Sequence, residues 1–250
     1  QYDEFVNWES RLQIELPFIE QLLGGVPHPD GSPAHVSDAA CGTGMHTLAL
    51  AQRGYTTLGT DLSPAMVEHA RRNAAAAGLD VRFETAGFGG LASALPGALP
   101  FDAVLCLGNS LPHAADEAGL AAALADFAAC LRSGGLLLLQ NRNFDAVLAD
   151  RQRWMEPQAH RAGDVEKLFI RFYDFDADGR ITFNMLTLQR SGEAGWTQQA
   201  TATRLLPLTQ AVLAPALARA GFGRLEAYGS LRGEPFNPAS SPNLVLCAYL

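Results

Sequence analysis

One stretch, residues 36–61, limits what this chain can fold into: VSDAACGTGMHTLALAQRGYTTLGTD. It reads as strand, glycine turn, helix and strand, and it ends on an acid. The first strand, over 35–39, carries Asp38 and runs into Ala40-Cys41-Gly42-Thr43-Gly44. Two glycines this close free the turn of side-chain bulk and admit backbone angles that other residues resist. A ligand can then lie against bare N–H groups where the next helix begins. That helix, over 45–53, turns Leu48, Leu50 and Ala51 toward a core, and Gly54 ends it. The second strand, over 55–60, delivers Asp61 at its carboxyl end. An acid about 20 residues beyond such a loop is placed to hold the hydroxyls of a nucleoside ribose.

Two phosphate-binding alternatives fail on particular residues. The dinucleotide fingerprint requires a third glycine, and the register Gly42-Thr43-Gly44-Met45-His46-Thr47 puts threonine there. A Walker-type loop requires Gly-Lys-Ser/Thr, and no lysine is near. A glycine turn in an unrelated α/β domain is the plain alternative, which the acid spacing and flanking strands disfavour.

The rest of the chain repeats the alternation. A first helix is expected over 2–23, with Phe5, Leu12, Leu16, Ile19, Leu22 and Leu23 on its apolar side and a kink at Pro17. Ser63 caps a helix with Pro64 in its first turn, and Gly78 ends it. A third strand over 81–85 leads to Ala86-Gly87-Phe88-Gly89-Gly90, and a fourth over 101–107 to Gly108-Asn109-Ser110. A helix over 117–131 precedes a fifth strand over 136–139, which ends in Gln140-Asn141-Arg142-Asn143. Strands alternating with helices give an α/β, doubly wound, mostly parallel sheet. Ligands bind such sheets outside the carboxyl ends of strands, where Asp38, Asp61, Gly87, Asn109 and Arg142 all fall.

After residue 150 the period changes to two. Strands over 167–175, 180–191 and 196–208 read as an inserted antiparallel three-stranded meander. A helix over 209–220 and strands over 224–230 and 244–250 then complete a seven-stranded core sheet. The expected division is a helix and cofactor-binding core over 1–150, an insertion over 151–208 covering the substrate site, and a return to the core over 209–250. Asp174-x-Asp176-x-Asp178-Gly179 imitates the start of a calcium loop, but its twelfth position is Met185 where a glutamate is needed. A hairpin turn is the expectation there.

Composition excludes several functions. With 26 Asp+Glu against 18 Lys+Arg, net charge −8, the chain lacks the basic excess of a nucleic-acid binder. No apolar run reaches about 18 residues, so no membrane span is expected. The cysteines Cys41, Cys106, Cys130 and Cys247 form no CxxC pair, which suits reduced thiols in a cytoplasmic protein and no metal site. No leader sequence is legible, although the chain starts at Gln1.

The segment DAACGTG followed by TDLS resembles the S-adenosyl-L-methionine site of class I methyltransferases. Leu105-Cys106-Leu107-Gly108-Asn109-Ser110 with His113, and Arg142-Asn143-Phe144-Asp145, resemble the glycine N-methyltransferase group of small-molecule methyltransferases. The likeness extends over about residues 2–208 and is specific at those stretches. It implies a Rossmann-like methyltransferase sheet and S-adenosyl-L-methionine as cofactor. It implies that Arg11 holds the methionyl carboxylate, that Ala40 and Asp61 contact the cofactor, and that Leu107 offers a backbone contact. Asp38, Gly42, Gly44, Leu62 and Met66 complete the candidate cofactor set. Gly87 and Phe88 stand where the group has Asn-Trp beside the adenine, a departure from its pattern. The resemblance further implies that Asn109 and His113 face the acceptor and that Arg142 matches the arginine that binds an amino-acid carboxylate.

The implied reaction is methyl transfer to a small-molecule acceptor, an amine or amino-acid-like nucleophile. Methylation of a small hydroxyl or carboxyl compound, with His113 as base, is the alternative; a non-catalytic cofactor-binding protein is a third reading. His113 could equally be a structural hydrogen-bonder, and Arg142 could pair with Asp145 or Asp150. His46 is expected to be half-exposed and secondary. Tyr2, Trp8 or Phe88 could offer a ring to the adenine or the cation.

Overall fold

The computed structural model describes residues 6–192 and 194–250. Tyr2 and Phe5, expected in the first helix, lie outside the described residues. Helix α1 (Trp8–Gly24) starts where the Asn7 side chain accepts the Ser10 N–H at 3.1 Å. It buries Leu16, Ile19 and Leu23 along one stripe, with Pro17 inside it.

The chain then alternates β1 (His35–Ala39), α2 (Met45–Ala51), β2 (Thr56–Asp61), α3 (Pro64–Ala77), β3 (Arg82–Thr85), α4 (Leu91–Ala94), β4 (Phe101–Cys106), α5 (Glu117–Cys130) and β5 (Leu131–Arg142). After α6 (Phe144–Ala149) come four strands, β6 (Gln158–Ala162), β7 (Val165–Phe175), β8 (Ile181–Ser191) and β9 (Thr197–Leu205). Helix α7 (Gln210–Arg219) and strands β10 (Arg224–Tyr228) and β11 (Asn243–Tyr249) return to the first sheet. That sheet has seven strands in the order β10-β11-β5-β4-β1-β2-β3. Its pairs are parallel except at β11, which runs antiparallel to β5 and β10. The order reverses between β1 and β4, and the crevice beyond their carboxyl ends is the expected binding position.

Alternation along the central strands divides the core between two faces. Val104, Cys106, Leu137 and Leu139 pack with Leu91, Phe127, Leu213 and Leu217 from α4, α5 and α7. Leu105, Leu136 and Leu138 pack with Ile19 and Leu23 of α1 and Leu50 of α2. At the opposite end from the crevice, Asp102 is buried and accepts the His35 N–H at 2.8 Å, His28 Nδ1 at 2.9 Å and the Arg132 guanidinium. His28, His35 and Asp102 approach one another closely enough to suggest a metal group. Protein donors already occupy both Asp102 oxygens, and the two imidazoles stack at 4.0 Å instead of converging on one point.

The second sheet corrects the expected three-stranded meander: it has four strands, in the order β6-β7-β8-β9. Strand β6 escapes a sequence reading because its residues are mostly exposed and carry no apolar alternation. Backbone pairing to β7, from Gln158↔Phe169 to Ala162↔Val165 around Gly163, makes it a strand. The acids of the β7–β8 hairpin have protein partners: Asp174 takes Asn184 and Arg153, Asp176 takes Thr182, and Asp178 takes Arg204. At its base, Tyr173, Ile181 and Leu205 pack with Phe144 and Val147 of α6, while Leu206 N–H donates to the Pro112 carbonyl at 2.8 Å.

Gly44 shows what the turn demands. Its φ is +81°, and an added Cβ would stand 2.9 Å from the Phe83 ring and 3.1 Å from the Ala70 Cβ. Left-handed strain and overpacking together should make Gly44→Ala destabilise the fold by about 2–4 kcal/mol. Urea unfolding checks this; a midpoint unchanged from wild type would refute the packing role.

Candidate active site

The crevice at the β1/β4 reversal opens into a cavity of about 530 Å³. Its floor is the glycine turn, with left-handed backbone at Ala40 (φ 57°), Gly42 (φ 58°) and Gly44 (φ 81°). Asp61 ties this turn to the start of α3: Oδ2 accepts the Gly42 N–H at 2.9 Å and Oδ1 the Ser63 N–H at 2.9 Å. A carboxylate so fixed still has lone pairs to accept hydroxyl donors. An added Cβ at Gly42 would meet nothing within 4 Å, so the space above the turn is open. Beneath it, buried Asp38 accepts the Thr47 hydroxyl at 2.7 Å, and burial holds its carboxyl above the ordinary range. Burial, with the Asp38 and Asp61 charges, pushes the Cys41 thiol up and so disfavours the thiolate.

Helix α1 supplies one wall. Arg11 Nε donates to Glu15 at 3.0 and 3.1 Å, and its guanidinium lies 5.0 Å from the Trp8 ring. Glu15 Oε2 is also 2.7 Å from His46 Nε2, and the His46 ring meets Trp8 edge-on at 5.5 Å. His46, expected from the sequence to be half-exposed, is instead buried. It is 6% exposed and joins α2 to α1 beside the glycine turn.

Burial alone would raise the Glu15 carboxyl, but the His46 hydrogen bond and charge, with Arg11, outweigh it and hold the group below its ordinary 4.5. A lowered folded value means that the stabilisation is complete above the ordinary value and disappears as pH falls through the folded one. Wild type should exceed Glu15→Gln in unfolding free energy by about 1–2 kcal/mol at neutral pH, with the gap closing below the ordinary carboxylate range. Denaturation at a series of pH values checks it; a gap independent of pH would remove Glu15 from this role.

Opposite stand Leu62, Met66, Gly87 and Phe88. Phe88 meets Phe127 edge-on at 5.9 Å. Leu62 is 75% exposed. Its Cδ1 lies 3.0 Å from where a Cβ on residue 87 would be, so glycine there gives Leu62 its place at the rim. The far wall is Leu107 to His113. Gly108 N–H donates to Gln140 Oε1 at 2.7 Å, and Asn109 N–H to the Gln140 carbonyl at 3.0 Å. Asn109 has φ 63°, and its Oδ1 accepts the Arg142 N–H at 2.9 Å. His113 is exposed at the mouth of the crevice, and partial desolvation there moves its pKa down from the ordinary value.

Arg11, Asp38, Ala40, Gly42, Asp61, Leu62, Met66, Gly87, Phe88, Leu107, Asn109 and His113 thus line one cavity. Gly44 does not; it packs beneath the turn against Phe83. Arg142 is also outside the lining, behind Asn109, where Tyr173 of β7 lies within hydrogen-bonding reach of its guanidinium. Its Nε is buried without a partner among the described residues, and Asp145 accepts the Gln210 N–H at 3.0 Å instead. Glu15 escaped the sequence reading, though its spacing of four from Arg11 was a usable signal.

An apolar rim, an acid with spare lone pairs, bare backbone and the Arg11 Nη groups, which have no partner among the described residues, suit a nucleoside joined to an amino acid. The methyltransferase-domain family model matches residues 36–135, which span both halves of the cavity. Over that stretch the chain is similar to a methyltransferase domain.

The chain is 35% identical over 147 residues to the glycine/sarcosine N-methyltransferase of Parasynechococcus marenigrum (strain WH8102), covering 59% of this chain and 50% of that protein. It is 34% identical over 123 residues to the glycine N-methyltransferase of Rattus norvegicus, covering 46% and 42%. The chain spans half the length of the first relative or less of the second. In fold it matches an S-adenosylmethionine-dependent methyltransferase of Clostridium acetobutylicum ATCC 824 with TM-score 0.77 at 16% identity, over 98% of this chain and 92% of that one. It also matches DesVI of Streptomyces venezuelae with TM-score 0.76 at 21% identity, over 99% and 95%. Among the described residues no helix is long and apolar enough to cross a membrane.

Proposed function

We propose that this chain is an S-adenosyl-L-methionine-dependent N-methyltransferase of a small-molecule amine, with an acceptor carboxylate held by Arg142. The observation that carries this reading is continuity: one cavity runs from the glycine turn and Asp61 to Asn109 and His113. The naming of similar curated proteins as glycine or glycine/sarcosine N-methyltransferases supports nitrogen as the nucleophile.

When bound, the cofactor supplies a methyl group activated by its sulfonium. The chain's own groups then have positional work. Asp61 accepts ribose hydroxyls, the Arg11 Nη groups face the amino-acid end, and Leu62, Met66 and Phe88 cover the base. Asn109, locked by Gln140 and Arg142, aims its amide at the acceptor. His113, at the exposed mouth of the cavity with its pKa moved down by partial desolvation, can accept a proton from an incoming ammonium and free the lone pair that attacks. The walls exclude water and align the reacting atoms, which is the larger share of catalysis when the leaving group is already activated.

Neutral His113 also suits the removal of a hydroxyl proton, so O-methylation is the second reading. A metabolite screen with labelled methyl donor, and mass detection of the product, separates the two. The expected label is on nitrogen of an acidic amine. Label on oxygen would replace the first reading with the second, and calorimetry showing no binding of S-adenosylhomocysteine would end both.

A further inference from the structure

Strand β7 brings a second arginine toward the acceptor side. Residues two apart on a strand share a face. Phe169 and Tyr173 are buried at 3% and 2%, so the face they share with Arg171 is turned inward. Arg171 lines a second cavity, of about 470 Å³, together with Arg11, Glu15 and Gln158. Arg11 borders both cavities, so the two adjoin.

Arg142 and Arg171 share one anomaly: the Nε of each is buried with no hydrogen-bond partner among the described residues. Tyr173 lies among them, within reach of the Arg142 guanidinium and of the Arg171 charge. Burial and the neighbouring Arg142 charge both push the Arg171 guanidinium below its ordinary value. Elsewhere the arginines either meet an acid, as Arg11, Arg53, Arg132, Arg153, Arg190 and Arg204 do, or are exposed, as Arg161, Arg219 and Arg232 are. A chain with net charge −8 has acids to spare, yet none of those described pairs with this couple. Two half-buried like charges without counter-charge are unfavourable until anions arrive.

We propose that Arg142 and Arg171 form a joint anion subsite, and that the acceptor is an amine carrying two negative charges, on two carboxylates or on one phosphoryl group. This rests on the proposed N-methyltransferase reading and sharpens its substrate class, since one guanidinium fork suffices for one carboxylate. Arg171 then sets specificity: monoanionic amines satisfy Arg142 and leave Arg171 bare.

The test is calorimetry on the full chain loaded with S-adenosylhomocysteine, using pairs that differ in charge and little in shape. Aspartate is compared with asparagine, and 2-aminoethylphosphonate with taurine, which also separates the carboxylate source from the phosphoryl one. In at least one pair the dianion should bind at least about tenfold more tightly. Arg171→Gln should abolish that preference while changing the monoanion less than about threefold, and Arg171→Lys, which keeps the charge, should retain part of it. Equal affinities in both pairs, no binding by any member, or an equal loss for both charge types in Arg171→Gln overturns the proposal. Labelled methyl transfer on the same panel distinguishes it from the parent reading. Transfer to monoanionic amines as readily as to dianionic ones refutes the subsite alone. Dianion-selective, Arg171-dependent binding with no label reaching nitrogen upholds the subsite and refutes N-methylation.

Discussion

Replacing Arg142 with alanine is expected to lower kcat/KM for an acidic acceptor by about 3 kcal/mol, roughly a hundredfold, with cofactor affinity nearly unchanged. Its guanidinium has no acid partner among the described residues, so its removal costs no protein ion pair. The loss falls on the acceptor, whose nucleophile is no longer held in line. Arg142→Lys keeps the charge without the planar fork and should be partly active. Because the Arg142 backbone N–H bonds Asn109 Oδ1, and a side-chain change leaves that bond in place, the cavity wall should survive. Steady-state kinetics and calorimetry with S-adenosylhomocysteine decide the matter. Normal turnover in the alanine variant, or lost cofactor binding instead, would make Arg142 a structural or cofactor-side residue.

Asp61→Ala should weaken S-adenosylhomocysteine binding by about 1.5–3 kcal/mol, the scale of hydrogen bonds to a charged group. Here the same carboxylate organises the protein before any ligand arrives, because Gly42 and Ser63 both donate to it. Affinity and stability should therefore fall together in the alanine variant. Asp61→Asn retains an acceptor oxygen for one of those N–H groups, so it should recover part of the stability and less of the affinity. Calorimetry on both variants, beside urea unfolding, checks the pattern. Unchanged affinity in the alanine variant would remove Asp61 from the ribose role.

Much of the frame was legible in the chain because the signals are local. The glycine turn, Ser63 ahead of Pro64, and Gly78 with φ 67° each act within a few residues, and β1 and α3 lie at the expected positions. Strand ends were legible too, which is why Asp38, Asp61, Gly87 and Asn109 reach one cavity from segments far apart in sequence. Doubly wound sheets turn strand order into position.

Other features depend on partners that the sequence does not announce. Strand β6 exists through its ladder with β7, since Gln158-Ala159-His160-Arg161-Ala162 has no apolar rhythm of its own. His46 became a structural joint only when α1 crossed α2 and put Glu15 2.7 Å from its ring. Gly44 belongs to the packing of Phe83 because β3 runs beside β2, bringing that ring beneath the turn. Arg142 and Arg171 come from different sheets, and Tyr173 stands among them through packing against α6. By itself, the sequence determined the α/β alternation, the glycine turn, the caps and the strand-end residues, through backbone sterics and hydrogen bonds that act over a few residues. The tertiary structure alone decided which buried charges meet counter-charges and which do not, because that depends on what packing brings within a few ångströms.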